Sequence, residues 1–356
     1  LVPAAIGLRG NVMGGLGNRL STAIHTGTFS VSIRNGTLMR QNVSASLALS
    51  SVLSFVLAII ASVVASAFGI ESNLNLGQLA MVSIAGGLAA SILVLIATVA
   101  LTVVGVRRNW DLDNLVAPSV STLGDVITVP TLFLASLALG LPAGAITTVG
   151  WVLAAASVAW FVVALRSRLP VLSQVCKESA PILVVAAALS TMAGVVVTKQ
   201  LSAFALLPAL FILQPAFVSS AGALGGILSS RLSTKLHLGL IDPDVVPGAD
   251  VRRDIFTISA IGIPVFLYNA VGAQVLGRLT GQASPGLLPM VAGTLTAGVA
   301  ALAVVAVLAY YGTIAAWRLK VDPDTYGTPT VTASMDFVGV VALVVAFSTF
   351  GWIAKV

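Results

Sequence analysis

Asp111-Leu-Asp113-Asn-Leu-Val-Ala-Pro118-Ser-Val-Ser121-Thr122-Leu-Gly-Asp125 returns 211 residues later as Asp322-Pro-Asp324-Thr-Tyr-Gly-Thr-Pro329-Thr-Val-Thr332-Ala-Ser-Met-Asp336. Both copies obey D-x-D-x4-P-x6-D, and each opens an apolar run. The last aspartate of each copy lies inside that run rather than beside it. An ionisable side chain in a membrane segment is costly, so its default reading is functional. The chain bears that cost twice, in matching places, which makes Asp125 and Asp336 the expected chemical centre.

The rest of the sequence makes these runs membrane segments. Of 356 residues, 58% are hydrophobic and 8% charged, whereas a soluble domain carries about 25% charged residues. The composition predicts an all-α polytopic membrane protein with the lipid bilayer as its partner, and the expected location is the plasma membrane, as a multi-pass protein. The net charge of +6 does not point to nucleic acid, because the basic residues lie between the apolar runs and form no basic-aromatic patch. A single cysteine, Cys176, excludes an internal disulfide or a thiolate cluster, and two histidines are too few for an imidazole-built zinc site.

Ten apolar segments are expected, near 1–20, 44–70, 77–105, 118–140, 144–165, 180–198, 203–228, 254–277, 286–312 and 329–354. A second duplicated motif organises them. Pro3, Gly10, Gly14 and Arg19-Leu-Ser-Thr-Ala-Ile-His25 recur as Pro215, Gly222, Gly226 and Arg231-Leu-Ser-Thr-Lys-Leu-His237, a shift of 212. Two motifs that keep nearly one offset over about a hundred residues indicate tandem duplication. The second copy has a segment, 180–198, ahead of Pro215 that the first lacks. Leu1 is not an initiator residue, so a preceding segment is expected outside this sequence. The expected domains are a first repeat at 1–140, incomplete at its N-terminus, a linker helix and loop at 141–177, and a second repeat at 178–356. Each full repeat has five helices, and the first helix of repeat one is absent.

Five is odd, so directly fused repeats would insert in opposite senses. A linker crossing restores a parallel pseudo-two-fold arrangement about the membrane normal, with 144–165 at the periphery. The charges agree. With the loop after segment 1–20 in the cytoplasm, only Lys199, Arg278 and Lys355 fall outside, Arg9 lies within a segment, and the other basic residues, Arg34 among them, fall inside.

Pro118 and Pro329 suit the first helical turn, where a missing N–H costs nothing. Ser121 and Thr122 precede Asp125 by four and three residues, on its helix face, and Thr332 holds the first of those places before Asp336. These hydroxyls are the expected pore-lining groups. Two carboxylates facing one path match the charge of one divalent cation. The competing structural role is capping a neighbouring helix or pairing with a buried arginine, for which Arg9 is the obvious candidate. Asp111, Asp113, Asp322 and Asp324 would ring the cytoplasmic mouth and concentrate cations, or serve simply as helix N-terminal acids. Gly10/Gly14 and Gly222/Gly226 fit G-x-x-x-G and are expected to pack helices closely. His25 and His237 are read as loop or capping residues. Asn11 has Ala223 at its repeat position, so any role it plays is asymmetric.

Together these motifs resemble the MgtE-type magnesium transporters, most of all the solute-carrier branch in which two such membrane domains are fused. The resemblance covers nearly the whole chain. It implies a five-helix domain per repeat, with the aspartate of each last helix, here Asp125 and Asp336, lining the path and holding hydrated Mg2+. Bacterial members are homodimers with cytoplasmic sensing domains; this sequence shows no such domain, so gating of that kind is not expected within it. A sparse site of two carboxylates and a few hydroxyls suits Mg2+, which sheds water reluctantly, better than Ca2+, which takes six to eight oxygens. Mn2+ and other divalent cations are further candidates. Because both halves of the path are in one chain, a single chain should suffice. A cation-coupled exchanger would use the same site. An intramembrane aspartyl protease is the remote enzyme alternative, since Thr122-Leu-Gly-Asp125 lacks the first glycine of that signature.

Overall fold

The computed structural model describes residues 2–25, 36–70, 74–108, 112–321 and 323–351. Arg34, Asp111, Asp322 and Lys355 lie outside the described residues. The order of elements is α1 (Val2–His25), α2 (Leu38–Ala67), α3 (Leu76–Arg107), α4 (Leu112–Leu137), α5 (Ala143–Leu165), α6 (Pro170–Lys199), α7 (Leu201–Leu206), α8 (Ala209–His237), α9 (Ala249–Leu279), α10 (Leu287–Arg318) and α11 (Pro323–Thr349). The protein is an all-α polytopic membrane protein. Among the described residues nine helices are long and apolar enough to cross a bilayer. Helix α1, with two arginines and two asparagines, is outside that set. At 1.5 Å per residue, the 32 residues of α3 or α10 extend for about 48 Å, beyond the hydrocarbon core.

Local chemistry sets the ends. Asn75 and Gln78 form a reciprocal capping box at the start of α3, and Asp250 stands in the first turn of α9, where a negative charge suits the helix dipole. Gly69 after α2 and Gly281 after α9 have φ of 66° and 69°, a conformation that glycine adopts without Cβ strain. The ends follow the duplication. α1 and α8 finish at His25 and His237, α3 and α10 at Arg107 and Arg318, while α4 and α11 begin at Leu112 and Pro323.

One expectation is corrected here. Pro118 and Pro329 do not occupy the first turn: each helix starts six residues earlier. Positions 113 and 324 fall in the first turn instead. Asp125 therefore lies 13 residues from the start of α4, about 20 Å along the axis.

The chain forms two compact units, Leu1–Thr191 and Met192–Val356, with the boundary inside α6. In the first, α4 packs on α1 and α3, and α5 packs on α3 and α2. Leu8, Leu16, Leu49, Leu53 and Val120 build its main core, joined by Leu172, Val175 and Leu183 of α6. In the second, α11 packs on α8 and α10, and α9 packs on both of those helices. Phe217, Leu228, Phe266, Val305, Met335 and Phe347 fill its core. Exposed apolar side chains such as Ile96, Phe133 and Val163 in the first unit, and Phe256 and Leu288 in the second, suit a hydrocarbon solvent.

Candidate functional site

Each sequence-singled aspartate sits at a close helix crossing of its own unit. In the first, Gly124 is buried against α1: its Cβ position lies 3.6 Å from the Gly10 amide nitrogen and 3.7 Å from Arg9 Cβ. Asp125 follows directly and is half-buried. In the second, the Cβ position of Gly222 lies 3.7 Å from Thr332 Cα, one turn before the half-buried Asp336. Gly10 and Gly222 are repeat equivalents, so small residues bring the aspartate-bearing helix onto the same partner in each unit. Gly14 has no neighbour within 4 Å of its Cβ position, whereas Gly225, one residue before the buried Gly226, faces Val331 of α11.

Thr332 donates through Oγ1 to the Pro329 carbonyl at 3.2 Å and is half-buried, while Thr122 is exposed. Thr128, one turn past Gly124, is buried and donates to that residue's carbonyl at 2.6 Å. Asp113 and Asp324 stand at equivalent first-turn positions, and Ser121 lies within α4. Among the described residues no three His, Cys, Asp or Glu side chains gather as a metal cluster.

Two features escaped the sequence reading. The first is the partner of the repeated arginine. Arg19 Nε donates to Asn42 Oδ1 at 2.8 Å, and its Nη2 reaches Ser46 Oγ at 3.3 Å. Arg231 Nη2 donates to Asp254 Oδ1 at 2.9 Å, and Lys235 pairs with the other carboxylate oxygen. Arg19 and Arg231 are 212 residues apart, and so are Asn42 and Asp254. The shift already held both partners: it pairs an amide in one copy with a carboxylate in the other.

The second is Arg9. It is fully buried and donates through Nε to the Gly87 carbonyl at 3.2 Å and through Nη2 to Ser54 Oγ at 2.7 Å. Its Nη1 has no hydrogen-bond partner among the described residues. His237, by contrast, ends α8 with Nδ1 2.9 Å from the Ser233 carbonyl and its ring edge-on to Trp317, a local capping arrangement.

Comparison with known proteins matches these two aspartate-bearing units to one family. The model of MgtE, described as a divalent cation transporter, matches residues 2–135 and again 214–346. Solute carrier family 41 member 2 of Xenopus laevis is 27% identical over 98% of this chain and 64% of its own length. Member 3 of Mus musculus is 26% identical over 98% of this chain and 74% of its own, and member 2 of Homo sapiens is 28% identical over 99% and 64%. The chain thus spans about two thirds of the length of the curated relatives it matches. No solved structure matches it significantly. The family is one of transporters, which displaces the protease reading. Matched twice, over most of its length, the chain belongs to the MgtE family of divalent cation transporters.

Proposed function

We propose that the chain carries Mg2+ across the plasma membrane along one path lined by Asp125 and Asp336, one aspartate from the last helix of each repeat. The observation that carries this reading is the double family match, with a half-buried aspartate at the same place in each matched stretch. The repeats are 1–140 and 178–356, parallel about the membrane normal, with 141–177 as the linker. Thr122, Ser121 and Thr332 supply hydroxyls to the hydrated ion, Asp111, Asp113, Asp322 and Asp324 draw cations to the cytoplasmic mouth, and a single chain suffices. A site built for retained water also admits Mn2+ when that ion is offered.

The test is Asp125→Asn and Asp336→Asn, each of which keeps side-chain shape and removes one charge. At an effective dielectric near 20, a unit charge about 5 Å from a divalent ion contributes roughly 6–7 kcal/mol before desolvation and screening. A fraction of that exceeds the ~1.4 kcal/mol that changes occupancy tenfold. Mg2+ uptake into liposomes should fall at least tenfold in either variant, with the melting temperature without Mg2+ unchanged or raised. Native flux in both variants removes the site. Lost flux with a collapsed melting temperature assigns the aspartates to structural pairing instead.

A further inference from the structure

The first unit holds a cleft of about 290 Å3 where the start of α2, the end of α5 and the start of α6 meet. Arg40, Gln41 and Ser44 of α2, Trp160 and Val163 of α5, and Leu172 of α6 line it. Hydrogen bonds fix its frame. Gln41 is buried, donates through Nε2 to the Gly36 carbonyl at 3.0 Å, and accepts from the Val171 and Leu172 amides at 3.2 and 3.4 Å. It thereby caps α6 and ties that helix to α2. Arg40, the residue before it, is exposed and has no hydrogen-bond partner among the described residues.

Two kinds of wall meet there. On one side Trp160 and Val163 are 40% and 68% exposed, on a helix long and apolar enough to cross a bilayer. On the other stand Arg40 and the hydroxyls of Ser44 and Ser167, with Arg166 and Arg168 exposed in the same α5–α6 turn. The Ser167 hydroxyl accepts from the Leu169 amide at 3.2 Å, which leaves its hydrogen to donate. No lining residue is acidic. A tryptophan and basic side chains together at the end of an apolar helix mark the headgroup layer of a membrane. The volume stands at the lower bound of small-ligand sites, enough for a headgroup but not for acyl chains. The second unit does not repeat the cleft. Arg252 and Phe256 stand 212 residues after Arg40 and Ser44, so an exposed ring replaces the hydroxyl. The α5 wall lies between the two stretches matched to the family.

We propose that this cleft seats the headgroup of one anionic phospholipid, its phosphate on Arg40 and the Ser44 and Ser167 hydroxyls and its acyl chains along the Trp160–Val163 face of α5. Charge complementarity selects the headgroup, because a basic pocket between membrane helices favours an anionic lipid and a guanidinium meets phosphate oxygens with paired N–H bonds. The exposed apolar wall selects a lipid over a soluble phosphate. The orientation proposed above puts the cleft in the cytoplasmic leaflet, where anionic lipids gather. The site goes beyond the transport reading and stands without it, since its readout is binding.

The experiment titrates the purified chain in detergent with short-chain phosphatidylglycerol, phosphatidylcholine or inorganic phosphate and reads thermal unfolding. It compares the native chain with Arg40→Gln, Trp160→Ala and Arg252→Gln. Phosphatidylglycerol should raise the melting temperature saturably, and the other two should not. Arg40→Gln should weaken the apparent phosphatidylglycerol affinity about fivefold, the worth of one basic side chain at an anionic lipid surface. Trp160→Ala should weaken it as well, and Arg252→Gln should keep the native value. An equal shift with phosphatidylcholine overturns the proposal. So does saturation by inorganic phosphate, which would make the cleft a site for soluble anions, or native affinity in Trp160→Ala. Equal weakening in Arg40→Gln and Arg252→Gln overturns it too, leaving only diffuse surface charge. Native mass spectrometry reads any variant whose melting temperature falls without lipid. Phosphatidylglycerol retained by the native chain and Arg252→Gln but lost from Arg40→Gln supports the site, and retention by Arg40→Gln at the native level overturns it.

Discussion

Asp254 shows how a single side chain can differ between copies and still do the same mechanical work. Its side chain is 5% exposed and holds both Arg231 and Lys235, whose side chains are 50% and 25% exposed. The exposed arginine is partly screened by solvent, so the charge contributes modestly, while the buried acceptor contributes more. Asp254→Ala leaves Arg231 without its acceptor and should cost roughly 1–3 kcal/mol, seen as a lower melting temperature in detergent. Asp254→Asn recreates the amide that Arg19 already uses in Asn42 and should cost less than half as much. Equal losses in the two variants would mean that charge, not hydrogen bonding, holds this helix pair. Arg19 and Arg231 were legible in the sequence as a repeated motif. Their partners were not recognised, because an amide and a carboxylate do not look alike until both are seen accepting from the same arginine.

At the scale of the helix, close approach decides what a glycine is for. Gly150 of α5 is buried with the Gly77 carbonyl of α3 standing where its Cβ would be. In an open helix position glycine to alanine gains about 0.5–1 kcal/mol from backbone entropy. Here the obstacle is backbone, which cannot rotate away, and overpacking costs about 1–3 kcal/mol. Gly150→Ala should therefore lower the melting temperature, while Gly144→Ala, exposed and with nothing within 4 Å, should leave it unchanged or raise it. A stable Gly150→Ala protein would show that α5 lifts freely from α3. The glycine pattern of the sequence named Gly10, Gly14, Gly222 and Gly226, and the helices use them unequally: Gly10 and Gly222 face α4 and α11, and Gly14 faces open space. Spacing fixes which residues share a helix face but not which face meets a neighbour.

At the scale of the whole molecule, the proposed parallel repeats make a side-specific forecast. The turns after α2 and α9 carry equivalent glycines, Gly69 and Gly281. Parallel repeats place both outside and the loop at Asp242 inside. Single cysteines at 69, 281 and 242 should give labelling of the first two by an impermeant thiol reagent added to whole cells, and of the third only after permeabilisation. The native Cys176 is buried and should contribute little background. Labelling of 69 and 281 from opposite sides would mean inverted repeats and would remove the shared path.

The sequence by itself determined the class of the protein, nine of the ten expected apolar helices as spans among the described residues, the duplication and the two aspartates inside apolar runs. These follow from composition, periodicity and the high cost of charge in hydrocarbon, all properties of residues in order. It placed helix starts poorly, putting Pro118 and Pro329 in the first turn, because proline at that point is tolerated in more than one register. Only the tertiary structure decided where Arg9 goes. An arginine in the middle of an apolar helix can turn to solvent, to an acid or into a packed junction, and the neighbours that settle this, Ser54 and Gly87, lie 45 and 78 residues away. Burial and partner choice are set by how helices cross, and helix crossings come from long-range packing, which no local pattern encodes.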